Sequence, residues 1–322
     1  MPEGQSIAQR LLDGEKPALA RLISWAENSD ERFPAALGEI YTKVGRAWRT
    51  GITGPPGAGK STTVNEMARL LREAQRTVGI LAIDPSSPFS GGALLGDRVR
   101  MEDRTLDEGV FIRSMASRGS HGGLARSTVD ACDVMDAYGF DDVIIETVGV
   151  GQAEYDVMTA TDTVVVVLCP GAGDGIQAMK AGLLEVADVL VVNKADQPGA
   201  DRLEMDLDEA VHIRTAGKDV WAPPVVSCSA GTASGVERVL AAIGDHRSYL
   251  AGERLERTRR KKRVEQVKRV VSERLEEVIW DDQGYTHEVE ALLKRAETPY
   301  DVASQVLDEL LDQISQATIE GA

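Results

Sequence analysis

Cysteine and histidine are scarce in this chain of 322 residues. The three cysteines, Cys132, Cys169 and Cys228, stand far apart, and none belongs to a C-x-x-C pair. This spacing argues against a disulfide framework and against a thiolate metal site. Apolar runs are also short. Because none reaches about 18 residues, no membrane-spanning helix is predicted.

Positive charge is in deficit as well. The chain has 36 Lys and Arg against 52 Asp and Glu, so its net charge is −16. Such a chain repels phosphate backbones, so no nucleic-acid partner is expected. Basic residues do cluster between Arg254 and Arg269, either as a solvated helix face or as a patch for RNA or an acidic partner. The acidic residues Glu3, Asp13 and Glu15, with no apolar segment beside them, favour neither a signal peptide nor an organelle leader, so a cytoplasmic protein is expected.

A phosphate-binding loop is the most informative feature that is present. The sequence Gly-Pro-Pro-Gly-Ala-Gly-Lys-Ser at residues 54–61 lies between a predicted buried strand and a predicted helix. Backbone N–H groups and the helix N-terminus attract phosphate there. Lys60 is predicted to reach the β- and γ-phosphates, and the Ser61 hydroxyl to hold Mg²⁺. The residues predicted to bind the phosphates are Gly54, Gly57, Ala58, Gly59, Lys60, Ser61 and Thr62.

A second motif indicates which nucleotide binds. Asn193, Lys194 and Asp196 follow a buried apolar strand, at the edge where ligands bind in open α/β sheets. The Asp196 carboxylate can accept hydrogen bonds from N1–H and the 2-amino group of guanine. Adenine has neither donor, and would leave the carboxylate facing a lone pair. The motif therefore predicts GTP and GDP as ligands, with Ser229 and Ala230 supplying a backbone contact to guanine O6.

Acidic residues at three strand ends or loops suggest a metal site. Asp84, Asp97 and Glu146 are predicted to meet at the carboxyl edge of the sheet, near an Mg²⁺ ion held by Ser61. Each of these acids alone is more often a turn cap, but three of them around a phosphate-binding loop favour the metal site. Gly149 follows closely and is a candidate backbone sensor of the γ-phosphate, because glycine permits close approach.

Two loops have the composition of nucleotide-dependent switches. In the first, Gln152 and Glu154 are candidates for orienting the attacking water. The second covers residues 171–180, where several glycines lie beside charged side chains. Loops of this kind can reorder when a partner binds.

The pattern divides the chain into an N-terminal helical extension (residues 1–47), a nucleotide-binding domain (48–250) and a C-terminal helical segment (251–322). Continuous Val, Ile and Leu runs in the middle segment indicate strands that are buried on both faces. We therefore predict an α/β P-loop NTPase fold with a doubly wound, mainly parallel sheet and a helical cap. The predicted strands are 48–53, 77–84, 109–114, 142–147, 163–170, 189–194 and 225–228. The C-terminal helices either fold back on the domain or form an arm that pairs with another subunit.

Taken together, these motifs closely resemble those of the MeaB family, the GTPase chaperones of adenosylcobalamin-dependent methylmalonyl-CoA mutase, a family that also carries the older name ArgK. The motifs that carry the resemblance are the phosphate loop, Asp84-Pro-Ser-Ser87, Gly96-Asp97, Phe111-Ile-Arg-Ser114, Glu146-Thr-Val-Gly-Val-Gly-Gln152, Gly171-Ala-Gly-Asp174 and Asn193-Lys-Ala-Asp196.

The resemblance implies roles for individual residues. Lys60 and Ser61 would bind phosphate and Mg²⁺, and Asp84, Asp97 and Glu146 would serve the metal or its waters. Gln152 and Glu154 would lie in the second switch, and Asp174, Gln177 and Lys180 in the third. The residues expected to act in hydrolysis are Lys60, Glu146, Gln152, Glu154 and Lys180.

The resemblance also implies a function and a partner. We expect a homodimer, joined by a C-terminal dimerisation arm, that hydrolyses GTP as a switch. It would gate cofactor loading of an adenosylcobalamin-dependent acyl-CoA mutase and protect that enzyme from inactivation. Relatives serve isobutyryl-CoA or ethylmalonyl-CoA mutases, so the acyl group stays open. The alternatives are a kinase or transport-linked ATPase of the ArgK type, which Asp196 argues against, and a nickel-delivery GTPase, which would need His or Cys ligands.

Overall fold

The protein is described by a computed structural model that covers residues 5–85, 107–117, 123–147, 159–171, 182–282, 285–293 and 298–320. It comprises two compact units, Met1–Lys262 and Arg263–Ala322.

A parallel sheet forms the centre of the first unit. Within the described residues it has seven strands, in the spatial order β3-β2-β4-β1-β5-β6-β7, and all neighbours run parallel. The predicted doubly wound sheet is confirmed. The strands are β1 (Trp48–Thr53), β2 (Val78–Pro85), β3 (Val110–Ser117), β4 (Asp142–Thr147), β5 (Thr163–Leu168), β6 (Val189–Val192) and β7 (Val225–Ser227).

Helices cover both faces of the sheet. Every residue of β1, β4, β5 and β6 is buried, as the continuous β-branched runs predict. One face packs against α4 and α8, and the other against α5, α6, α7 and the N-terminal helices. The helices are α1 (Ile7–Leu12), α2 (Lys16–Glu27), α3 (Phe33–Ile40), α4 (Lys60–Glu73), α5 (Gly123–Tyr138), α6 (Leu183–Val186), α7 (Ala200–Thr215), α8 (Val236–Leu250) and α9 (Glu253–Glu276).

The N-terminal helices are joined to the sheet domain by apolar packing and by one carboxylate. Leu19, Leu22 and Ile23 of α2 share a fully buried apolar cluster with Met135 of α5. At the next position of α5, the Asp136 carboxylate accepts hydrogen bonds from the backbone N–H groups of residues 45, 46 and 47, at 2.8, 3.0 and 2.9 Å. This carboxylate therefore fixes the segment that leads from the helical cap into β1.

Buried ion pairs surround the amino end of β1. The Arg49 guanidinium lies 2.7 Å from a carboxylate oxygen of Asp133 and 2.9 Å from one of Asp136. Asp162, just before β5, is bound by Arg259 of α9 at 2.7 Å. A buried carboxylate needs such a partner, because its desolvation is costly without one.

Two residues of the basic segment turn inward for this reason. Arg259 also donates to the carbonyl oxygens of Gly45 and Ala47, and Lys262 donates to that of Thr161. The first turns of α9 are thereby anchored within the first unit. Neither side chain belongs to the solvated helix face that the charge pattern predicted, because Asp162 and these carbonyls require donors.

A chain of polar contacts links β1, β5 and α8 at the same edge. The Trp48 indole donates to the Thr163 hydroxyl at 3.1 Å, and that hydroxyl lies 2.9 Å from Nδ1 of His246. Since an indole N–H can only donate, the hydroxyl accepts from it, and the same hydroxyl also bonds to Nδ1. The other ring nitrogen, Nε2, lies 3.4 Å from Oδ1 of Asp188.

The second unit is helical in its described residues. It contains the later part of α9, a π-helical turn (Glu277–Asp282), α10 (Tyr285–Leu293) and α11 (Pro299–Glu320). Apolar side chains from these elements enclose a cavity of about 310 Å³, among them Ile279, Trp280, Val289, Leu293, Val302 and Val306. Across the described parts of both units, no helix is both long and apolar enough to cross a membrane.

Candidate nucleotide-binding site

The phosphate-binding loop joins the carboxyl end of β1 to α4 and is packed too tightly for larger residues at two glycines. Gly54 has a φ of +135°, and a Cβ there would lie 2.0 Å from the carbonyl oxygen of Val167 in β5. Gly59 has a φ of +90°, and a Cβ there would lie 2.2 Å from Nδ2 of Asn193. The loop conformation thus depends on glycine for both backbone angle and space.

Lys60 lies at the centre of this loop. It is the first residue of α4 and is buried. Its ammonium group donates to the carbonyl oxygens of Gly54 at 2.7 Å and Pro55 at 3.0 Å. The charge is therefore held inside the loop, at the place where a phosphate group would need it.

Ser61 and Glu146 meet beneath the loop. Glu146, near the end of β4, is paired in register with Ile52 of β1 and is fully buried. The Ser61 hydroxyl donates to Oε1 of Glu146 at 2.6 Å. The sheet therefore brings together a hydroxyl and a carboxylate that are far apart in sequence.

These two groups suit a hard cation. Hydroxyl and carboxylate oxygens are ligands that Mg²⁺ prefers, and Mg²⁺ commonly takes its remaining ligands from water and nucleotide phosphates. Among the residues the structure describes, no three His, Cys, Asp or Glu side chains cluster as a self-sufficient metal site. The donor set at Ser61 and Glu146 thus fits an ion that binds together with a nucleotide.

Asn193 connects the phosphate-binding loop to the segment after β7. Its Nδ2 donates to the carbonyl oxygen of Ala58 at 2.8 Å, and its Oδ1 accepts from the Ala230 N–H at 3.0 Å. The Cys228 thiol also points to Oδ1, at 3.6 Å, and burial raises the pKa of this thiol to about 11. One buried amide therefore ties together the two loops that are predicted to bind phosphate and base.

Asp196 is presented to solvent at the same edge. Its Oδ1 accepts from the Ser229 hydroxyl at 2.6 Å, and its own N–H donates to that hydroxyl oxygen at 3.2 Å. The hydrogen bond from Ser229 holds the pKa of Asp196 below its usual range, so the carboxylate is ionised at neutral pH. Lys194 has a φ of +57°, which turns the chain sharply between Asn193 and Asp196.

The structure gives Ser229 and Ala230 contacts that the sequence did not indicate. The Ser229 N–H donates to the carbonyl oxygen of Ser234 at 2.8 Å, and the Ala230 N–H donates to Asn193. A backbone contact from either residue to guanine O6 would have to replace one of these bonds. The Ser229 side chain instead orients Asp196, a role for which the only sequence signal was a serine shortly after a short strand.

Several predicted site residues lie outside the described residues and stay predictions. Asp84 lies in β2, where its backbone pairs in register with Ala116, but its side chain is outside the description. The others are Asp97, Gly149, Gln152, Glu154, Asp174, Gln177 and Lys180. The described part of the candidate site is therefore the phosphate-binding loop, the Ser61–Glu146 pair and the segments predicted to bind guanine.

Comparison with known proteins agrees with this geometry. A family profile described as "Methylmalonyl Co-A mutase-associated GTPase MeaB" matches residues 19–284. The chain belongs to the MeaB family. It is 43% identical over 324 residues to a Pyrococcus abyssi protein whose name describes a GTPase, covering 95% of this chain and 96% of that protein. It is 37% identical over 273 residues to the Escherichia coli GTPase ArgK, covering 82% of each.

A solved structure shares the architecture of this MeaB-family chain. It is that of a protein named as a LAO/AO transport system kinase, which is 29% identical and superposes with a TM-score of 0.71 over 95% of this chain and 96% of that one. Together with the loop and the Asp196 arrangement, family membership establishes a P-loop GTPase that binds GTP and GDP.

Proposed function

We propose that this MeaB-family GTPase is a switch for an adenosylcobalamin-dependent acyl-CoA mutase, with methylmalonyl-CoA mutase as the first candidate. It would gate loading of the mutase cofactor and protect the mutase from inactivation. The mutase part of the proposal rests on the family description, which names methylmalonyl-CoA mutase. The switch part is carried by Asn193, whose amide bonds to both the Ala58 carbonyl and the Ala230 N–H.

The hydrolysis step follows from the groups in the loop. Lys60 exchanges the carbonyls of Gly54 and Pro55 for oxygens of the β- and γ-phosphates, and so stabilises charge that develops during transfer. Ser61 and Glu146 would hold Mg²⁺, which neutralises charge on the same phosphates when it is bound. Asp196, ionised and exposed, accepts from the guanine edge and excludes adenine.

We infer that the mutase controls the rate of this step. Gln152 or Glu154 would orient the attacking water, and Lys180 and Gln177 would reach the γ-phosphate side only in the complex. Gly149 and Asp97 would complete the phosphate and metal contacts, and Asp174 would lie in the same switch as Lys180. Each tenfold rise in turnover needs only about 1.4 kcal/mol of extra transition-state stabilisation, which one charge-assisted hydrogen bond supplies.

The test is GTP turnover of the full chain across a titration of purified mutase, with ATP as the control nucleotide. We expect slow hydrolysis alone and stimulation by the cognate mutase. Lys180→Ala and Gln177→Ala should keep GTP affinity but lose the stimulation. Absence of stimulation in the wild type would refute the mutase proposal, and full stimulation of both variants would refute the role of these residues.

We also propose a homodimer formed through the C-terminal segment, residues 251–322. On α9, Val264, Val267, Val271 and Leu275 repeat at helical spacing and are 43–62% exposed. Apolar side chains in such a row are typical of a helix that packs against a partner. A chain that ends at Lys262 keeps the contacts of Arg259 and Lys262 and should be monomeric by light scattering. A monomeric full-length chain at micromolar concentration would rule out the dimer.

A transport-linked kinase is the second candidate. It is favoured by the likeness to the solved LAO/AO transport system kinase, whose name describes such an activity for that protein. This candidate requires transfer of the phosphoryl group to an acceptor molecule rather than to water. Measuring whether arginine or ornithine becomes phosphorylated therefore separates the kinase from the GTPase switch. Cytoplasmic location and the lack of a nucleic-acid partner stay predictions from composition and charge.

A further inference from the structure

A second cavity lies on the α4 and α8 face of the sheet, near the amino end of β1 and away from the phosphate-binding loop at the other end of that strand. Its volume is about 150 Å³. Its walls are mostly apolar side chains of the two helices, Met67, Leu71, Leu240 and Ile243. A cavity of this size in an apolar core accommodates a molecule of about six non-hydrogen atoms.

A hydroxyl group lines this otherwise apolar space. Thr50 is only 4% exposed, and strand alternation places its side chain on the same face as Trp48 and Ile52. Among the described residues, its hydroxyl has no hydrogen-bond partner. Because Thr50 lines the cavity, its hydroxyl can donate to or accept from a molecule bound there.

The rim of the cavity is positively charged at one position. Arg76 and Asp142 line it as a pair, with Nε 2.6 Å from the carboxylate, and Asp142 is also attracted to Arg247 across space. The exposed Arg247 guanidinium lies 5.2 Å from the centre of the Trp48 ring and has no hydrogen bond within the described part of the chain. This leaves a guanidinium group ready to bind an anion.

Among the described residues, the nearby Asp141 carboxylate makes no hydrogen bond to the Arg247 guanidinium. It accepts hydrogen bonds from the Thr77 N–H at 2.7 Å and the Thr77 hydroxyl at 3.0 Å, and it does not line the cavity. The bonds from Thr77 are the main cause of the lowered pKa of Asp141, and the charges of Arg76 and then Arg247 contribute across space.

Two groups that line the cavity, the Arg247 guanidinium and the Thr50 hydroxyl, indicate the chemistry of the ligand. The Arg247 guanidinium lies over the Trp48 ring, and Thr50 follows Trp48 by two residues on the same face of β1, so the two groups line different parts of one cavity. We propose that this cavity binds a short-chain organic acid that carries a second oxygen near the far end of its chain. The carboxylate binds Arg247, the hydrocarbon contacts the helix side chains, and the second oxygen binds the Thr50 hydroxyl.

The experiment uses the full chain with methyl-labelled Met and Ile, and three probes of similar size. These probes are 4-oxopentanoate, pentanoate and the neutral ketone pentan-2-one. We expect saturable shifts of the Met67 and Ile243 methyl signals, with 4-oxopentanoate binding more tightly than pentanoate. The neutral ketone should bind more weakly than either acid, because it cannot pair with Arg247.

Two variants separate the two ends of the site. Arg247→Gln should weaken both acids by about tenfold while leaving pentan-2-one unchanged, since only the charge-assisted contact is lost. Thr50→Val keeps the side-chain shape, and should abolish the preference for 4-oxopentanoate over pentanoate. GTP affinity should be unchanged in both variants, which shows that the fold is intact.

A variant that fills the cavity completes the test. Leu240→Phe should abolish the methyl shifts for all three probes. Failure of both acids to produce saturable shifts of the wild-type signals overturns the proposal. So does equal affinity of the acids for wild type and Arg247→Gln, or shifts that persist in Leu240→Phe, because binding would then lie elsewhere.

Discussion

The charged side chains at the two ends of strand β1 have different kinds of hydrogen-bond partner. At the carboxyl end, Lys60 donates to two carbonyls and Asp196 accepts from a serine hydroxyl. At the amino end, Arg49 is bound by the carboxylates of Asp133 and Asp136, and the Asp162 carboxylate is bound by a guanidinium group. In these contacts, the charges near the nucleotide site meet neutral partners, whereas those at the other end meet opposite charges.

The difference follows from what each end does. A neutral partner is exchanged for a phosphate or a base at modest cost, so the described hydrogen bonds of Lys60 and Asp196 can give way to those of a nucleotide. A buried ion pair is not exchanged easily, because either partner alone would be stranded in the core. The amino end therefore holds the domain together, while the carboxyl end binds the nucleotide.

The largest effect is expected from removing the Asp136 carboxylate near the amino end of β1. Asp136→Ala removes a carboxylate that accepts from three backbone N–H groups and Arg49, and should lower the free energy of unfolding by about 3–5 kcal/mol. Chemical denaturation measures this change. Asp208→Ala, at an exposed position, is the matched control and should change stability by less than about 0.5 kcal/mol. A similar loss of unfolding free energy in both variants would contradict the structural role assigned to the ion pairs at the amino end.

Lys60→Ala should abolish most of the activity at the carboxyl end. Loss of a charge that stabilises the transferring phosphoryl group should reduce turnover by about 10²–10³-fold. Steady-state GTP hydrolysis measures the effect, and the exposed Lys218→Ala serves as control. Turnover within a few-fold of wild type would show that the Lys60 ammonium does not act on the phosphates.

The Asp188–His246 contact predicts opposite pH effects in two variants. Burial raises the pKa of Asp188 from 3.8 to about 6, so the contribution of this group to the stability of the folded protein falls as pH rises through 3.8–6. Burial lowers the pKa of His246 from 6.5 to about 4, so the contribution of this group to the stability of the folded protein rises as pH rises through 4–6.5. The two effects largely cancel in the wild type.

Each variant should show the pH dependence of the titrating group that remains. Relative to wild type, His246→Asn should lose about 2–3 kcal/mol of stability as pH rises from 4 to 6.5, and Asp188→Asn should gain a similar amount between pH 4 and 6. Urea titrations at stepped pH measure both. Parallel rather than opposite trends would show that these shifts do not have the stated signs.

Asp196→Asn should change which base is bound. The amide would offer a donor where guanine also has a donor, so GTP affinity should fall by about 10–100-fold while xanthine nucleotide gains. Calorimetry with GTP, XTP and ATP measures the exchange. Unchanged GTP affinity, or equal affinity of the wild type for ATP and GTP, would remove Asp196 from the base site.

The smallest effect is expected at Ser229. Ser229→Ala deletes the hydroxyl that donates to Asp196 at 2.6 Å, and should weaken GTP binding by about threefold to tenfold without admitting ATP. The exposed Thr232→Val provides a comparison in the same loop. A loss as large as that of Asp196→Asn would mean that Ser229 itself contacts the base.

The carboxyl end was largely predictable from sequence, because its parts are local. The bounds of β1 and β4 were predicted as observed, since each is a short run whose residues are all buried. Lys60 and Ser61 lie in a contiguous motif, and Asp196 follows its strand directly. Their placement at one sheet edge follows from parallel topology alone.

The amino end was not predictable in this way. Nothing near Asp136 in the sequence indicates that it accepts from residues 45–47, which lie on a different element. Arg259 and Lys262 have the composition of a solvated helix face, and only the tertiary structure shows that Asp162 draws Arg259 inward. The cavity at Thr50 likewise depends on how the side chains of two helices fill space above the sheet.

The Cys228 thiol makes the guanine-binding segment chemically observable. Because it is buried against Asn193 with a pKa raised to about 11, it forms almost no thiolate at neutral pH and reacts slowly with alkylating reagents. Its alkylation rate, resolved from Cys132 and Cys169 by peptide mass, reports how often the contact with Asn193 opens. A nucleotide that holds both loops should slow that reaction, so the native chain carries its own label for following the proposed switch.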